Sequence, residues 1–279
     1  MQEIFKYFES KIVDFLFLVC YDYAGKGGCA VASINDGSFI RGQDLKSFLM
    51  IGQSNMAGRG EFSDVEPINN FRCYMMRNGR FIKMREPINP DRPIFDGVFH
   101  SGTSLGAAFA DELAKGLKCR VGMIPCADGG SSISSWQPGE ILYDHAVFMS
   151  KLAMRTSSFS GIIWHQGEND CLDEEHLCAY KDKLLNMIFG LRRDLGAEKL
   201  PFIMGELSEK LSSSGDYDFS DRPKRMNKIF HEVASEISMC AVASSEGLQL
   251  KPDGLHFNAV SLRTFGKRYF EVYKKIINV

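Results

Sequence analysis

Three side chains in this sequence could together cleave an ester. Ser54 sits in a Met50-Ile51-Gly52-Gln53-Ser54-Asn55-Met56 string directly after an apolar run, and Asp253 and His256 share an Asp-Gly-Leu-His string near the other end. A serine hydroxyl becomes a useful nucleophile when an imidazole takes its proton and a carboxylate fixes the imidazole's tautomer. Gly254 permits a tight turn that would fold the Asp253 carboxylate back toward the His256 ring. Met56 stands where the Gly-x-Ser-x-Gly elbow of α/β-hydrolases has its second glycine, so the serine belongs to a different frame.

Acyl transfer also needs donors for the oxyanion that develops on the carbonyl, each typically worth ~10²–10³ in kcat. The small-residue loop Ala127-Asp128-Gly129-Gly130-Ser131-Ser132 can bring backbone amides close to a ligand, and the Ser54 amide would be another donor. In the run Trp164-His165-Gln166-Gly167-Glu168-Asn169-Asp170, the Gln166 amide is the side-chain donor expected to serve. The Gly-rich loop lacks the Lys-Ser/Thr ending of a phosphate-binding P-loop. His165, Cys171, His176 and Cys178 match no zinc-finger or ribbon spacing, so no metal and no cofactor is expected.

The elements that must carry these residues alternate in the βαβ manner from residue 47 onward. Strands are predicted at 47–52, 119–125, 161–165, 201–206 and 239–243, and helices at 105–117, 141–155, 174–195, 223–237 and 259–277, the last capped by Asn258. This pattern predicts an α/β fold with a mainly parallel five-stranded sheet covered on both faces. Ser54, Gly129 and Gly130, and Gln166 to Asp170 all follow predicted strands, at the edge where open α/β sheets bind ligands. Residues 1–45 form a separate N-terminal appendage in this reading, with a helical stripe over 1–24 and a hairpin turn at Asn35-Asp36-Gly37. Residues 46–279 form the catalytic domain.

Gly-Gln-Ser-Asn-Met, Gly-Gly-Ser-Ser-Ile followed by Trp136, His-Gln-Gly-Glu-x-Asp and Asp-Gly-Leu-His together resemble the carbohydrate acetylesterases of the SGNH-hydrolase superfamily. The match is to the sialate O-acetylesterase/acetylxylan esterase group, carbohydrate esterase family 6, over about residues 46–275. The resemblance implies a flavodoxin-like, three-layer α/β/α sandwich and metal-free removal of O-acetyl groups from sugars. It makes Ser54 the nucleophile, His256 the base and Asp253 its acid, with the Ser54 amide, a glycine amide at Gly129 or Gly130, and Gln166 as oxyanion donors. It also places Glu168 beside the site, where this acid could replace or assist Asp253 as the partner of His256.

Gln53, Arg59 and Trp136 are expected at the substrate rim, Trp136 either stacking on a sugar or packing beneath the loop. Arg85 and Arg92 are further cations that could meet an acidic sugar. Two other readings stay open: a lipase or thioesterase of the same superfamily, and a sugar-binding protein with a vestigial site. The 279 residues are 44 % hydrophobic and 24 % charged with a net charge of −2, which excludes the basic excess of a nucleic-acid binder. The eight cysteines are scattered among apolar neighbours, as in a reducing compartment. With no basic leader or long apolar span visible, the expectation is a cytoplasmic enzyme acting on a small acetylated sugar, away from membranes.

Overall fold

Leu45–Gly52 (β1) is continuously apolar from Phe48 to Ile51, and a strand that points such side chains both ways needs cover on both faces. In the computed structural model, which describes residues 45–90, 101–213 and 218–278, β1 is the middle strand of a seven-stranded sheet. Phe48 and Met50 enter one core and Leu49 and Ile51 the other, all four fully buried. Burying a side chain of Phe48's size stabilises by about 1.5–3 kcal/mol.

The remaining strands are β2 (Cys73–Arg77), β3 (Arg80–Lys83), β4 (Arg120–Pro125), β5 (Ser158–His165), β6 (Phe202–Gly205) and β7 (Cys240–Ala243). Their order across the sheet is β3-β2-β4-β1-β5-β6-β7, parallel throughout except for β2 against β3. The expectation of five strands is therefore corrected to seven. The five expected strands form a contiguous block in flavodoxin-like order. The two additional strands are a hairpin on one edge, turning through Asn78 and Gly79 at φ 48° and 74°. Two successive left-handed residues of the Asn-Gly type make the tight turn whose twist suits paired strands.

Helices α2 (Leu105–Gly116) and α6 (Ala259–Ile276) cover the Phe48 face. Helices α3 (Ile141–Met154), α4 (Glu174–Asp194) and α5 (Arg222–Glu236) cover the other. The result is a three-layer α/β/α sandwich. Helix α4 starts at Asp173, whose carboxylate accepts from the amides of Glu175 and His176, and α6 at Asn258, whose side chain accepts from the Ser261 amide. Helices α2 and α6 touch through small residues. A β-carbon on Gly266 would stand 2.2 Å from the Leu105 carbonyl oxygen, so only glycine lets the two axes come this near. That approach brings the segment just ahead of α6 to the end of β1. Nearly all of the expected appendage, with its helix and hairpin, and Arg92 lie outside the described residues.

Candidate active site

The chain leaves β1 through Gly52, at φ 132°, where a β-carbon would lie 2.0 Å from the His165 carbonyl oxygen. A side chain is therefore excluded twice, by backbone conformation and by contact. The Gln53 amide donates to that carbonyl at 2.9 Å, and the Gly52 carbonyl accepts from the Asp128 amide at 2.8 Å. Three loops following β1, β4 and β5 are thus laced together by main chain. Ser54 then opens a single helical turn, α1 (Ser54–Ala57).

His256 arrives from a loop closed upon itself ahead of α6. The Lys251 amide donates to the His256 carbonyl at 2.6 Å, and the Asn258 amide to the Gln249 carbonyl at 3.1 Å. At the tip, Gly254 takes φ 67° and lets Asp253 turn back. One Asp253 oxygen, Oδ1, accepts from the amides of Leu255 and His256, each at 2.9 Å, and the other, Oδ2, lies 2.9 Å from His256 Nδ1. His256 Nε2 lies 2.9 Å from Ser54 Oγ. Burial pushes the Asp253 carboxyl up, but the His256 and Leu255 amides and the His256 ring outweigh it and hold the group below the usual carboxylate range.

These residues open on a crevice of about 300 Å³, at the small end of the ~300–1,000 Å³ common for small-molecule sites. Ser54, Gly129, Gly130, Gln53, Arg59 and His256 line it, together with Glu168, Asn169, Leu172, Phe219 and Leu255. Gly129 packs against Ser54: a β-carbon there would lie 3.8 Å from that of the serine and 2.8 Å from Arg59 Nη2. Among the described residues, the amides of Ser54 and Gly129 have no hydrogen-bond acceptor. Two unused N–H groups beside a serine are what a developing oxyanion needs.

Several expected positions fall elsewhere. Gln166 is fully buried and does not line the crevice. Its amide nitrogen donates to Gln53 Oε1, the Ser131 carbonyl and Asp170, and its oxygen accepts from Tyr180. The unassigned neighbour Asn169 lines the crevice instead, and its side chain has no hydrogen bond among the described residues. Sequence pointed to the run that contains it, but not to which side chain faces out of the turn after β5. Trp136 is buried, donating to Ser131 Oγ at 3.0 Å and set edge-on to Trp164, so it packs beneath the loop rather than stacking on a ligand. Arg85 is exposed and not among the crevice residues.

Glu168 does not meet His256. Its Oε1 accepts from Asn55 Nδ2 at 2.6 Å and faces His165 Nε2 at 3.2 Å, and it is 2 % exposed. Burial pushes its carboxyl up, but the His165 ring and the Asn55 hydrogen bond outweigh that and keep it below the ordinary range. Cys126 near the glycine loop is buried, and burial pushes its thiol up to about 12, which leaves it no thiolate to offer as a nucleophile.

A family model for carbohydrate esterases described as sialic acid-specific acetylesterases matches residues 44–275. A protein of Arabidopsis thaliana named as a carbohydrate esterase, At4g34215, is 27 % identical over 243 residues, 81 % of this chain and 89 % of the relative. The crystal structure of that Arabidopsis protein superposes with a TM-score of 0.72 at 25 % identity, covering 82 % of this chain and 98 % of the other. NanS shares the fold with a TM-score of 0.69 at 16 % identity, over 86 % of this chain and 99 % of its own.

Proposed function

Because the chain belongs to the carbohydrate esterase family of sialic acid-specific acetylesterases, it is a carboxylic-ester hydrolase, and we propose that it removes O-acetyl groups from a small sugar through Ser54, His256 and Asp253. The observation that carries this reading is the unbroken line from Asp253 Oδ2 to His256 Nδ1 and from His256 Nε2 to Ser54 Oγ, both links 2.9 Å, ending in a crevice beside unused amides. An acceptor on Nδ1 keeps the proton there, so Nε2 presents its lone pair to the serine hydroxyl.

In the proposed reaction, Ser54 Oγ attacks the acetyl carbonyl as its proton passes to His256. The oxyanion is received by the Ser54 and Gly129 amides, with Gly130 alongside and the Asn169 side chain in the part first expected of Gln166. The bond to the sugar oxygen breaks as His256 returns the proton to it. Water then attacks the acetyl-enzyme by the same route, releasing acetate and restoring Ser54. The crevice volume suits one sugar unit, and Arg59 on its wall suits an acidic one, its guanidinium matching a carboxylate. Leu172, Phe219 and Leu255 give part of the lining an apolar character, which also fits the lipase or thioesterase reading.

Ser54→Ala tests the proposal. Turnover of an O-acetylated sialic acid and of p-nitrophenyl acetate is expected to vanish with the melting temperature unchanged; wild-type turnover by the variant would end the serine mechanism. A profile of p-nitrophenyl esters from acetyl to octanoyl separates the lipase reading, with rates here expected to fall steadily beyond acetyl.

A further inference from the structure

Asn55 stands next to the nucleophile in sequence and 1 % exposed in space, and its side chain holds two other segments through three hydrogen bonds. Its Oδ1 accepts from the Phe257 amide at 3.0 Å, while its Nδ2 donates to the Leu255 carbonyl at 3.3 Å and to Glu168 Oε1 at 2.6 Å. Phe257 and Leu255 are the residues on either side of His256. One amide group therefore grips the backbone both before and after the base, from the position immediately after Ser54. Asn55 is thus a buried side-chain tie between the loop that carries Ser54 and the loop that carries His256.

We propose that Asn55 is a positioning residue that sets the reach of His256 to Ser54, and that the buried Glu168 carboxylate holds the Asn55 amide one way round. The amide has a donor end and an acceptor end, and reversing it would set NH₂ against the Phe257 N–H and an oxygen against Glu168. An ionised carboxylate only accepts, so it admits the donor end alone. Glu168 is itself fixed from behind: His165 Nε2 faces the same oxygen at 3.2 Å, and the His165 ring packs edge-on against both Phe257 and Phe265. Tyr269 completes the support, donating to the Trp164 carbonyl at 2.8 Å and lying 3.3 Å from His165 Nδ1. Neither Asn55 nor Glu168 touches the reacting atoms in this scheme. They act through the backbone that carries the imidazole, and the inference rests on the serine mechanism proposed above.

The test compares wild type, Ser54→Ala, Asn55→Ala, Glu168→Gln and the Asn55/Glu168 double variant. Two rates are read per folded molecule: kcat on p-nitrophenyl acetate, and the second-order rate of modification by a fluorophosphonate. Misplacing a catalytic group by about 1 Å can cost ~10²-fold, so Asn55→Ala is expected to lower both rates about 100-fold with KM changed less than threefold. Glu168→Gln can present its NH₂ to Asn55 half the time and is expected to cost about tenfold in the wild-type background. In the Asn55→Ala background it is expected to cost nothing further. Glu168→Gln is nearly isosteric, so it carries the test if Asn55→Ala does not fold. A mere structural tie would lower the melting temperature and leave both rates per folded molecule unchanged, which would overturn the inference. Equal losses from Glu168→Gln in both backgrounds would overturn the part given to Glu168. A fully active Ser54→Ala would remove the underlying mechanism and the inference with it; an inactive Ser54→Ala beside an unimpaired Asn55→Ala would remove the inference alone.

Discussion

Replacing Asp253 with asparagine changes one atom and should disable the base without disturbing its position. Asp253 Oδ1 accepts two backbone amides at 2.9 Å, so the asparagine carbonyl must take that place; the reverse orientation would press NH₂ against two N–H groups. The NH₂ then faces His256 Nδ1 at the position where the carboxylate accepted a hydrogen bond from the ring N–H. Imidazole answers a donor by offering its lone pair, which moves its proton to Nε2 and points an N–H at Ser54 Oγ. That tautomer cannot take the serine proton. In serine proteases the same aspartate-to-asparagine change costs ~10⁴ in kcat. The Asp253 side chain here is 41 % exposed, so water can partly stand in for it. A loss of about 10³–10⁴ in kcat is expected, roughly 4–5.5 kcal/mol at 1.36 kcal/mol per tenfold. The assay is steady-state hydrolysis of p-nitrophenyl acetate, with circular dichroism to establish that the fold is retained. A loss smaller than tenfold would rule out tautomer control by Asp253 and move the carboxylate's part elsewhere.

Gly266→Val would force α2 and α6 apart, because its β-carbon would meet the Leu105 oxygen at 2.2 Å and the Ala108 β-carbon at 2.7 Å. Urea melts are expected to show about 3 kcal/mol lost, the upper end of the usual cost of overpacking, and a change below about 0.5 kcal/mol, the ordinary range of surface substitutions, would contradict the packing described. Acid should also destabilise the protein. Glu168, Glu206 and Asp253 have folded-state carboxyls held below their ordinary range, Glu168 by the His165 ring and its hydrogen bonds and the other two chiefly by hydrogen bonds, in each case outweighing burial. The stability they contribute is complete above the unfolded carboxylate range, near pH ~4, and is lost as pH falls through the lower folded values. Asp170, raised by burial, runs the other way and blunts the effect. Melting temperature should therefore fall from about pH 5 to about pH 3, by less in Glu168→Gln; a flat profile would refute the assignment.

Much of this was legible because it depends on short-range pattern. The five expected helices begin and end within a residue or so of the positions set by apolar periodicity and by caps such as Asn258. Likewise, an aspartate and a histidine in one turn need only Gly254 to meet. The β2–β3 hairpin carried a readable turn signal, Asn78-Gly79, but its two short strands are mixed in polarity and lie at the sheet edge. What sequence could not resolve was direction within a run. Gln166, Glu168 and Asn169 are near neighbours after β5, yet Gln166 is spent in the core, Glu168 grips Asn55 at the crevice wall and Asn169 lines the crevice with its side chain unbonded among the described residues. Asn55 stood in a motif already marked for its serine. Its partners at Leu255 and Phe257 come from some 200 residues further on, and only the assembled fold brings them within reach.

The decisive experiment is to find the covalent intermediate. Enzyme quenched in acid within the first turnover of an activated acetyl ester, then digested and read by mass spectrometry, should carry one acetyl group on the peptide containing Ser54, absent from Ser54→Ala. An acetyl group on another residue, or rapid turnover with no acylated peptide at any quench time, would contradict acyl transfer through Ser54.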